Sequence, residues 1–107
     1  MDFRLFPEWN VLQIQEFQDM MKRLYFSKDN KRGPKGTFEW LTDEVKELGE
    51  ELGKGDLKAA GKEFADVLAW LASLANIVGI SLEQEALSKY PNICPKCQQS
   101  PCQCPFS

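Results

Sequence analysis

The chain contains no histidine among its 107 residues. That absence excludes Ser-His-Asp triads, histidine general bases and metal centres built on imidazole ligands. No apolar run approaches the roughly 18 residues that a transmembrane helix requires, so the sequence predicts no membrane span. The first ten residues, MDFRLFPEWN, lack the apolar segment of a signal peptide. We therefore expect a cytosolic protein.

Basic residues are also too few and too scattered for duplex DNA binding. Lysine and arginine number 13 against 16 aspartates and glutamates, which gives a net charge of −3. Hydrophobic residues make up 43% of the chain, enough for the core of one domain. Small helical chains often complete such a core by oligomerising. We expect no duplex nucleic acid and no membrane as partners.

The periodicity of apolar residues predicts four α-helices, and no segment alternates as a β-strand does. Asn10 is predicted to cap the first helix, with Gln13 completing a capping box, and the helix to run to about Phe26. A polar loop is expected over residues 27–36, because Pro34 and the glycines beside it stop helices.

The other helix boundaries are predicted from capping residues and helix breakers. The residues expected to begin helices are Thr37, Asp56, and Ser81 with Gln84. The residues expected to end helices are Gly53 or Gly55, Gly79 and Pro91. The predicted fold is an all-α domain over residues 1–91, an antiparallel four-helix bundle completed by oligomerisation. A Cys-rich tail follows over residues 92–107.

Two acidic pairs lie on the second and third predicted helices. Glu44 and Glu47 are three residues apart, as are Glu63 and Asp66. This spacing projects both carboxylates of a pair from one helix face, and antiparallel packing would bring all four together. Such a group repels itself and needs a cation, for which hard oxygen ligands favour Mg²⁺ or Mn²⁺. Solvated helix faces are the alternative interpretation, which the matched pairs make weaker.

Each acidic pair adjoins an apolar stripe of its helix, at about 100° of rotation per residue. The stripes consist of Leu41, Val45, Leu48 and Leu52 on the second helix, and Phe64, Val67, Leu68, Leu71, Leu74 and Val78 on the third. We expect the two stripes to pack together. The carboxylates would then meet at the margin of the core, partly sheltered from water.

The residues around these acids resemble the MazG-type nucleotide pyrophosphohydrolases, an all-α superfamily marked by an ExxE…ExxD pattern. The likeness rests on residues 40–48 (WLTDEVKEL) and 63–68 (EFADVL), and on the flanking segments 29–33, 37–41 and 79–83. It covers roughly residues 11–90 and leaves the cysteine tail outside.

The resemblance implies that Glu44, Glu47, Glu63 and Asp66 are Mg²⁺ ligands. It also implies hydrolysis of a nucleoside triphosphate to the monophosphate and pyrophosphate, by a homodimer or homotetramer that packs as a four-helix bundle between chains. Clearance of surplus or non-standard nucleotides is the expected role. Glu47 is the candidate to accept the proton of the attacking water. Lys46 departs from the small residue of many relatives, with no effect expected on the ligands.

Four further side chains are candidates for substrate contacts. Trp70 and Trp40 each lie one turn from an acidic pair, where a flat ring could stack on a nucleobase. A core or interface position explains both tryptophans equally well. Arg32 is a candidate for binding triphosphate oxygens, with a solvated basic loop as the alternative. Lys89 is a candidate to close over the phosphates.

The tail carries all four cysteines, Cys94, Cys97, Cys102 and Cys104. Two closely spaced pairs favour a structural zinc site with four thiolate ligands. The short gap between the pairs and the tight Cys-x-Cys spacing are unusual for a zinc ribbon. Disulfides and free thiols are the alternatives, and a reducing cytosol disfavours the former.

Two functions of other classes compete with the hydrolase. The first is a non-enzymatic helical dimerisation module whose cysteine tail binds zinc or a protein partner. The second is a zinc-knuckle adaptor for single-stranded nucleic acid, which the acidic charge balance and the few basic residues of the tail disfavour.

Overall fold

The computed structural model describes residues 11–105, and it is helical without β-strands over that range. The helices are α1 (Ile14–Lys54), α2 (Leu57–Val78) and α3 (Leu82–Lys89). The all-α class is thus confirmed, but the first two predicted helices form one interrupted element. The predicted cap at Asn10 lies outside the described residues. Within them, Gln13 precedes α1 and its backbone N–H donates to the Glu16 carboxylate at 3.2 Å.

The loop predicted over residues 27–36 is wrong, because the chain stays helical there and breaks only at Gly33. Gly33 has φ 84° and ψ 171°, a conformation that residues with a side chain rarely adopt. Pro34 follows at the start of the resumed helix, where its missing N–H costs nothing. Arg32 spans the break by donating to Asp29 at 2.9 Å and to the Thr37 hydroxyl at 3.3 Å. Thr37 is therefore a buried residue inside α1 and does not cap a separate second helix as predicted.

The later helix boundaries agree with the predictions from capping residues. Asp56 accepts a hydrogen bond from the backbone of Ala59 at 3.0 Å and begins α2. Gly55 and Gly79 end α1 and α2 in the left-handed conformation. Ser81 accepts from the backbone of Gln84 at 3.2 Å and begins α3.

α2 runs antiparallel to α1, as the contacts at their two ends show. Near one end, the Gln18 side-chain amide donates to the Asn76 side chain at 3.0 Å. Near the other end, Glu44 lies beside Glu63. Small buried residues let the two helices approach closely; on α2 these are Ala60, Ala72, Ser73 and Ala75.

The buried Gln18 also fixes the start of α3 against α1. Its side-chain nitrogen donates to the Ile80 carbonyl at 2.6 Å, and its side-chain oxygen accepts from the Leu82 backbone at 2.9 Å. Both polar atoms of this buried side chain are thereby satisfied, as burial requires. The turn between α2 and α3 consequently has a defined position beside α1.

The expected packing of the two large apolar stripes against each other is wrong for most of their residues. Leu41 is buried, and Leu48, Val67 and Leu74 are half-buried, but the other six stripe residues are exposed. These exposed members are Val45, Leu52, Phe64, Leu68, Leu71 and Val78. The small residues of α2 have taken the place against α1 that the large stripe was expected to occupy.

No single helix among the described residues is long and apolar enough to cross a membrane. α2 and α3 reach that threshold only when taken as a pair, on length and composition alone, and they are bent by 98° to each other.

Candidate active site

Three carboxylates from two helices converge where the second half of α1 faces α2. Glu44 comes from α1, and Glu63 and Asp66 come from α2. One oxygen from each lies within 4.8 Å of the others. The short turn at Gly55 and Asp56 produces this meeting, because it folds α2 back along α1. The predicted convergence of the acidic pairs is thus present in the structure for these three.

Glu47 lies one turn beyond Glu44 and is exposed. It is not among the three carboxylates that lie within 4.8 Å of one another. Its negative charge nevertheless reaches the cluster, since it helps to raise the pKa of both Glu44 and Glu63. The fourth predicted ligand is therefore at the open side of the cluster.

The cluster carries more negative charge than its surroundings compensate. Burial, followed by a side-chain contact with Glu63 and the charges of Glu47 and Asp66, raises the pKa of Glu44 from 4.5 to about 7. Burial first, and then the charges of Glu47 and Asp66, raise the pKa of Glu63, while contact with Glu44 opposes the shift. Each of these two carboxylates also has a buried oxygen that finds no hydrogen-bond partner among residues 11–105.

These features fit a divalent cation. Unpartnered buried carboxylate oxygens are costly unless something positive or a hydrogen-bond donor reaches them. A cation would occupy the lone pairs of Glu44 and Glu63 and would cancel the repulsion among the three acids. An all-oxygen ligand set that keeps one side open suits Mg²⁺ or Mn²⁺, which retain waters and bind substrate phosphates.

A cavity of about 330 Å³ adjoins the carboxylate cluster. Asp66 belongs to both, because it lines the cavity as well as the cluster. The other lining residues come from the first half of α1 and from α2: Met21, Tyr25, Lys28, Asp29, Arg32, Ala69, Trp70 and Ser73. The cavity thus combines apolar and aromatic walls with charged groups at one acidic corner.

The two candidate tryptophans stack on each other. The rings of Trp40 and Trp70 have centroids 5.5 Å apart and planes within 8° of parallel. The guanidinium carbon of Arg32 lies 4.8 Å from the centroid of the Trp70 ring. Such cation–π contacts hold a flat cation and a flat ring in register. The structure therefore brings Arg32, Trp40 and Trp70 together beside the acids.

Asp29 is a polar residue of the cavity that was not predicted to be a site residue. It is only 2% exposed, and one of its oxygens pairs with Arg32 at 2.9 Å. The other oxygen is buried and has no hydrogen-bond partner within the described part of the chain. The signal in the sequence was the spacing of Asp29 and Arg32, three residues apart, which pairs them only if that segment is helical. The expectation of a loop hid this pair.

The lysines near the break in α1, and the candidate Lys89, lie in different places. Lys28 lines the cavity. Lys31 and Lys35 are exposed and do not line it. Lys89 is at the end of α3, where its ammonium lies 5.6 Å from the centre of the Tyr90 ring. The structure does not place Lys89 in the cavity wall.

Comparison with known protein families decides the relationship of the chain. A family described as the MazG nucleotide pyrophosphohydrolase domain matches residues 32–98, which is well over half of the chain. The chain belongs to this family. No curated protein matches the chain in a sequence comparison.

The MazG match includes the carboxylate cluster and both stacked tryptophans, and it begins at Arg32. Asp29 and the rest of the first half of α1 lie before it, although they supply much of the cavity wall. The match ends at residue 98, between the two cysteine pairs. Membership therefore identifies a nucleotide pyrophosphohydrolase domain at the level of the family, and the substrate remains to be inferred from the cavity.

The raised pKa of Glu44, about 7, predicts how pH affects the metal-free protein. The folded state holds this proton more tightly than the unfolded chain does. The stabilisation is therefore complete below the ordinary pKa of 4.5 and is lost as the pH rises through about 7. Below about pH 7 a cation must displace this proton. The dissociation constant for Mn²⁺ is therefore expected to rise as the pH falls, by up to about tenfold per pH unit.

Calorimetric titration with Mn²⁺ between pH 6 and 8, in buffers of different ionisation enthalpy, measures both affinity and released protons. Thermal unfolding of the metal-free protein over the same pH range is the second measurement. The Glu44→Gln variant lacks this titrating group, so the pH dependence of its stability should be weaker. Affinity that does not change with pH in the unaltered protein would contradict the prediction.

Proposed function

We propose that the protein is a Mg²⁺-dependent nucleoside triphosphate pyrophosphohydrolase. The observation that carries the proposal is the position of Asp66, which is shared between a carboxylate cluster suited to a cation and a cavity walled by Trp70. A nucleotide has two matching parts: a phosphate chain for the cation and a flat base for the cavity, joined by a sugar. The family of the chain supports this reading of the site.

Glu44, Glu63 and Asp66 would hold Mg²⁺, with Glu47 at the open side. When bound there, Mg²⁺ would supply positive charge to the triphosphate and lower the pKa of a bound water. The carboxylates themselves keep that charge at a fixed place between α1 and α2. Glu63 and Glu44 are suited to this role because their buried oxygens lack any other partner.

Glu47 is the proposed proton acceptor. The reaction adds water across the bond between the α-phosphate and the pyrophosphate group, so one proton of that water must be taken up. Glu47 is exposed and on the same face of α1 as Glu44, which leaves it accessible to a water on the solvent side. Glu44 and Glu63, which are more enclosed, are better placed as ligands.

The cavity is the proposed site for the nucleobase. Trp70 lines the cavity, where Trp40 stacks on its ring and the Arg32 guanidinium lies over it. A base that stacks on Trp70 would therefore take the place of one of these two side chains. The unpartnered oxygen of Asp29 can accept a hydrogen bond from an amino or imino group of the base. Lys28, at the cavity wall, offers a positive charge to the phosphate chain.

Trp70→Ala is expected to raise KM for the preferred triphosphate by about tenfold or more, because base stacking on an aromatic ring contributes roughly 1–3 kcal/mol. The chemical groups at the carboxylate cluster remain, so kcat should change less than KM. Steady-state kinetics with pyrophosphate detection measures both. Tyr90→Ala is the matched control, since Tyr90 is an exposed aromatic residue outside the cavity. An unchanged KM in Trp70→Ala would remove Trp70 from the base site.

The protein is further proposed to act as a homodimer or a homotetramer. Large apolar side chains of α2 stand exposed on one face, among them Phe64 at 56%, Leu68 at 44% and Leu71 at 40%. Their spacing of four and three residues places them on one stripe of the helix. A second copy of the chain would cover this stripe and complete a four-helix bundle, with two long helices from each chain.

The direct test is a panel of canonical and modified triphosphates with Mg²⁺, followed by pyrophosphate release. We expect turnover of at least one member, with the monophosphate as the second product. Preference for a modified base over its canonical parent would support a role in clearing non-standard nucleotides. Absence of pyrophosphate release from every member would contradict the proposed activity.

A further inference from the structure

The four cysteines of the tail form a second cluster, separate from the carboxylates. All four sulfur atoms lie within 4.8 Å of one another. The Sγ atoms of Cys94 and Cys104 are 3.7 Å apart, and those of Cys97 and Cys102 are 3.9 Å apart. Cys94 and Cys97 precede Ser100, and Cys102 and Cys104 follow it, so the chain folds back on itself to bring the four sulfurs together.

These sulfur separations are those of a tetrahedral metal site. With Zn–S bonds of about 2.3 Å, the edge of a tetrahedron of thiolates measures about 3.8 Å. A disulfide would instead require sulfurs about 2.05 Å apart. The observed 3.7 Å and 3.9 Å match the tetrahedral edge. The other four sulfur–sulfur separations are within 4.8 Å, so one ion can lie among all four sulfurs.

The backbone around the cluster also has the form of a metal-binding turn. The Gln98 N–H donates to the Cys94 carbonyl at 2.8 Å, and the Cys94 N–H donates to the Gln99 carbonyl at 3.0 Å. The Gln103 N–H donates to the Cys97 sulfur at 3.2 Å. The Cys104 N–H donates to the Cys102 sulfur at 3.3 Å. N–H groups aimed at sulfur stabilise thiolates and orient them as ligands.

The tail has little else to hold this arrangement. Residues 92–105 contain neither helix nor strand. Apart from prolines, the one large apolar residue in this range is Ile93. It is 39% exposed, so no apolar core forms there. A segment this short without a core is usually ordered by a metal or by disulfides. The separation of the sulfurs favours the metal.

We propose that Cys94, Cys97, Cys102 and Cys104 bind one Zn²⁺ in a closed structural site. Soft thiolate ligands in a tetrahedron select zinc or iron among the common divalent metals, and the carboxylate cluster, made of hard oxygens, selects a different ion. Four protein ligands leave no open position for substrate, so this ion orders the tail and takes no part in hydrolysis. The site goes beyond the proposed activity and does not depend on it.

The test measures metal content in the full-length protein. After the protein is loaded with Zn²⁺ and passed over a gel-filtration column in metal-free buffer, we expect one zinc per chain by elemental analysis. Replacement by Co²⁺ should give the visible and charge-transfer bands of tetrahedral thiolate coordination. In Cys97→Ser, zinc affinity measured against a chromophoric chelator should fall more than about a hundredfold, since loss of a ligand exceeds the loss of an outer-shell partner.

Two control variants separate this site from the rest of the protein. Ser100→Ala lies between the cysteine pairs and removes no ligand, so it should keep one zinc per chain. Glu63→Gln alters the carboxylate cluster and should also keep the zinc. Circular dichroism on Cys97→Ser checks that the helices persist when the metal is lost.

One variant is expected to tighten zinc binding. Gln98 has φ 60°, a left-handed conformation that glycine adopts without strain. Gln98→Gly removes this strain but makes the metal-free tail more flexible, so the net gain in zinc affinity should be about threefold.

Several results would overturn the zinc site. They are less than a tenth of a zinc per chain, iron in place of zinc, two disulfides in freshly prepared protein, or zinc that stays at one per chain with unchanged affinity in Cys97→Ser.

Discussion

Glu63→Gln is expected to abolish pyrophosphate release while making the metal-free protein more resistant to heat. An amide oxygen is a poor substitute for a carboxylate at a Mg²⁺ site. The transition state should lose several kcal/mol of stabilisation, which corresponds to a rate reduction of about a thousandfold. In the metal-free state the same change removes one of three crowded negative charges. The melting temperature without Mg²⁺ should therefore rise by about 2–5 °C.

The two measurements are a pyrophosphate assay with saturating Mg²⁺ and thermal unfolding in EDTA. Glu50→Gln is the matched control, since it makes the same chemical change at an exposed glutamate of α1 outside the cluster. It should leave both activity and melting temperature nearly unchanged. A Glu63→Gln protein that keeps its activity would remove Glu63 from the site. One that loses activity and also melts lower in EDTA would point to damaged folding.

The opposed effects follow from the way the site is built. Residues that repel one another before a ligand binds make the metal-free fold less stable, and that same repulsion is the reason for binding a cation. Glu44 shows the cost directly, because its pKa is raised to about 7 by burial and by the carboxylates beside it. In a structural ion-pair network, by contrast, removing any member would lower the stability of the protein.

Much of the helical framework could be predicted from the sequence because its boundaries depend on local chemistry. Asp56, Gly79 and Ser81 act through hydrogen bonds or backbone angles within a few residues of themselves. The acidic pairs could be predicted for the same reason, since a three-residue spacing determines the face from which side chains project. Their meeting required only that α2 fold back on α1.

The break at Gly33 could not be predicted in this way. A glycine followed by proline is as typical of a loop as of a sharp bend between two helical halves. Contacts across the bend decide between them, because Arg32 connects Asp29 on one side with Thr37 on the other. Those contacts also create the cavity wall, so the error in the helix hid Asp29 as a site residue.

The periodicity of apolar residues also could not predict which surface packs against the large apolar stripe. A repeat of apolar residues identifies a face that avoids water but not the surface that covers it. In this chain, small residues such as Ala72 and Ala75 face the interior, and the larger ones, such as Leu68, remain accessible. The distinction depends on how closely α1 and α2 approach, which is a property of the folded chain.

Leu68→Glu is expected to convert the protein to a monomer and to remove most of its activity at micromolar concentrations. The substitution places a charge in the middle of the exposed stripe, between Phe64 and Leu71. Burying an unpaired carboxylate against a second copy is costly, so the dissociation constant should rise by more than about a hundredfold. Activity should fall with it, because the helices that carry Glu63 and Asp66 would lose the packing that keeps them in place.

Light scattering coupled to gel filtration gives the oligomeric state, and thermal unfolding gives a second, independent readout. The melting temperature of the unaltered protein should increase with its concentration, since association stabilises the folded chain by mass action. That dependence should disappear in Leu68→Glu. Leu87→Glu is the control, because Leu87 is a 65% exposed leucine on α3 rather than α2, and the change in side chain is the same. If the unaltered protein is an active monomer whose melting temperature is independent of concentration, the α2 stripe is not an interface between copies and must serve another purpose.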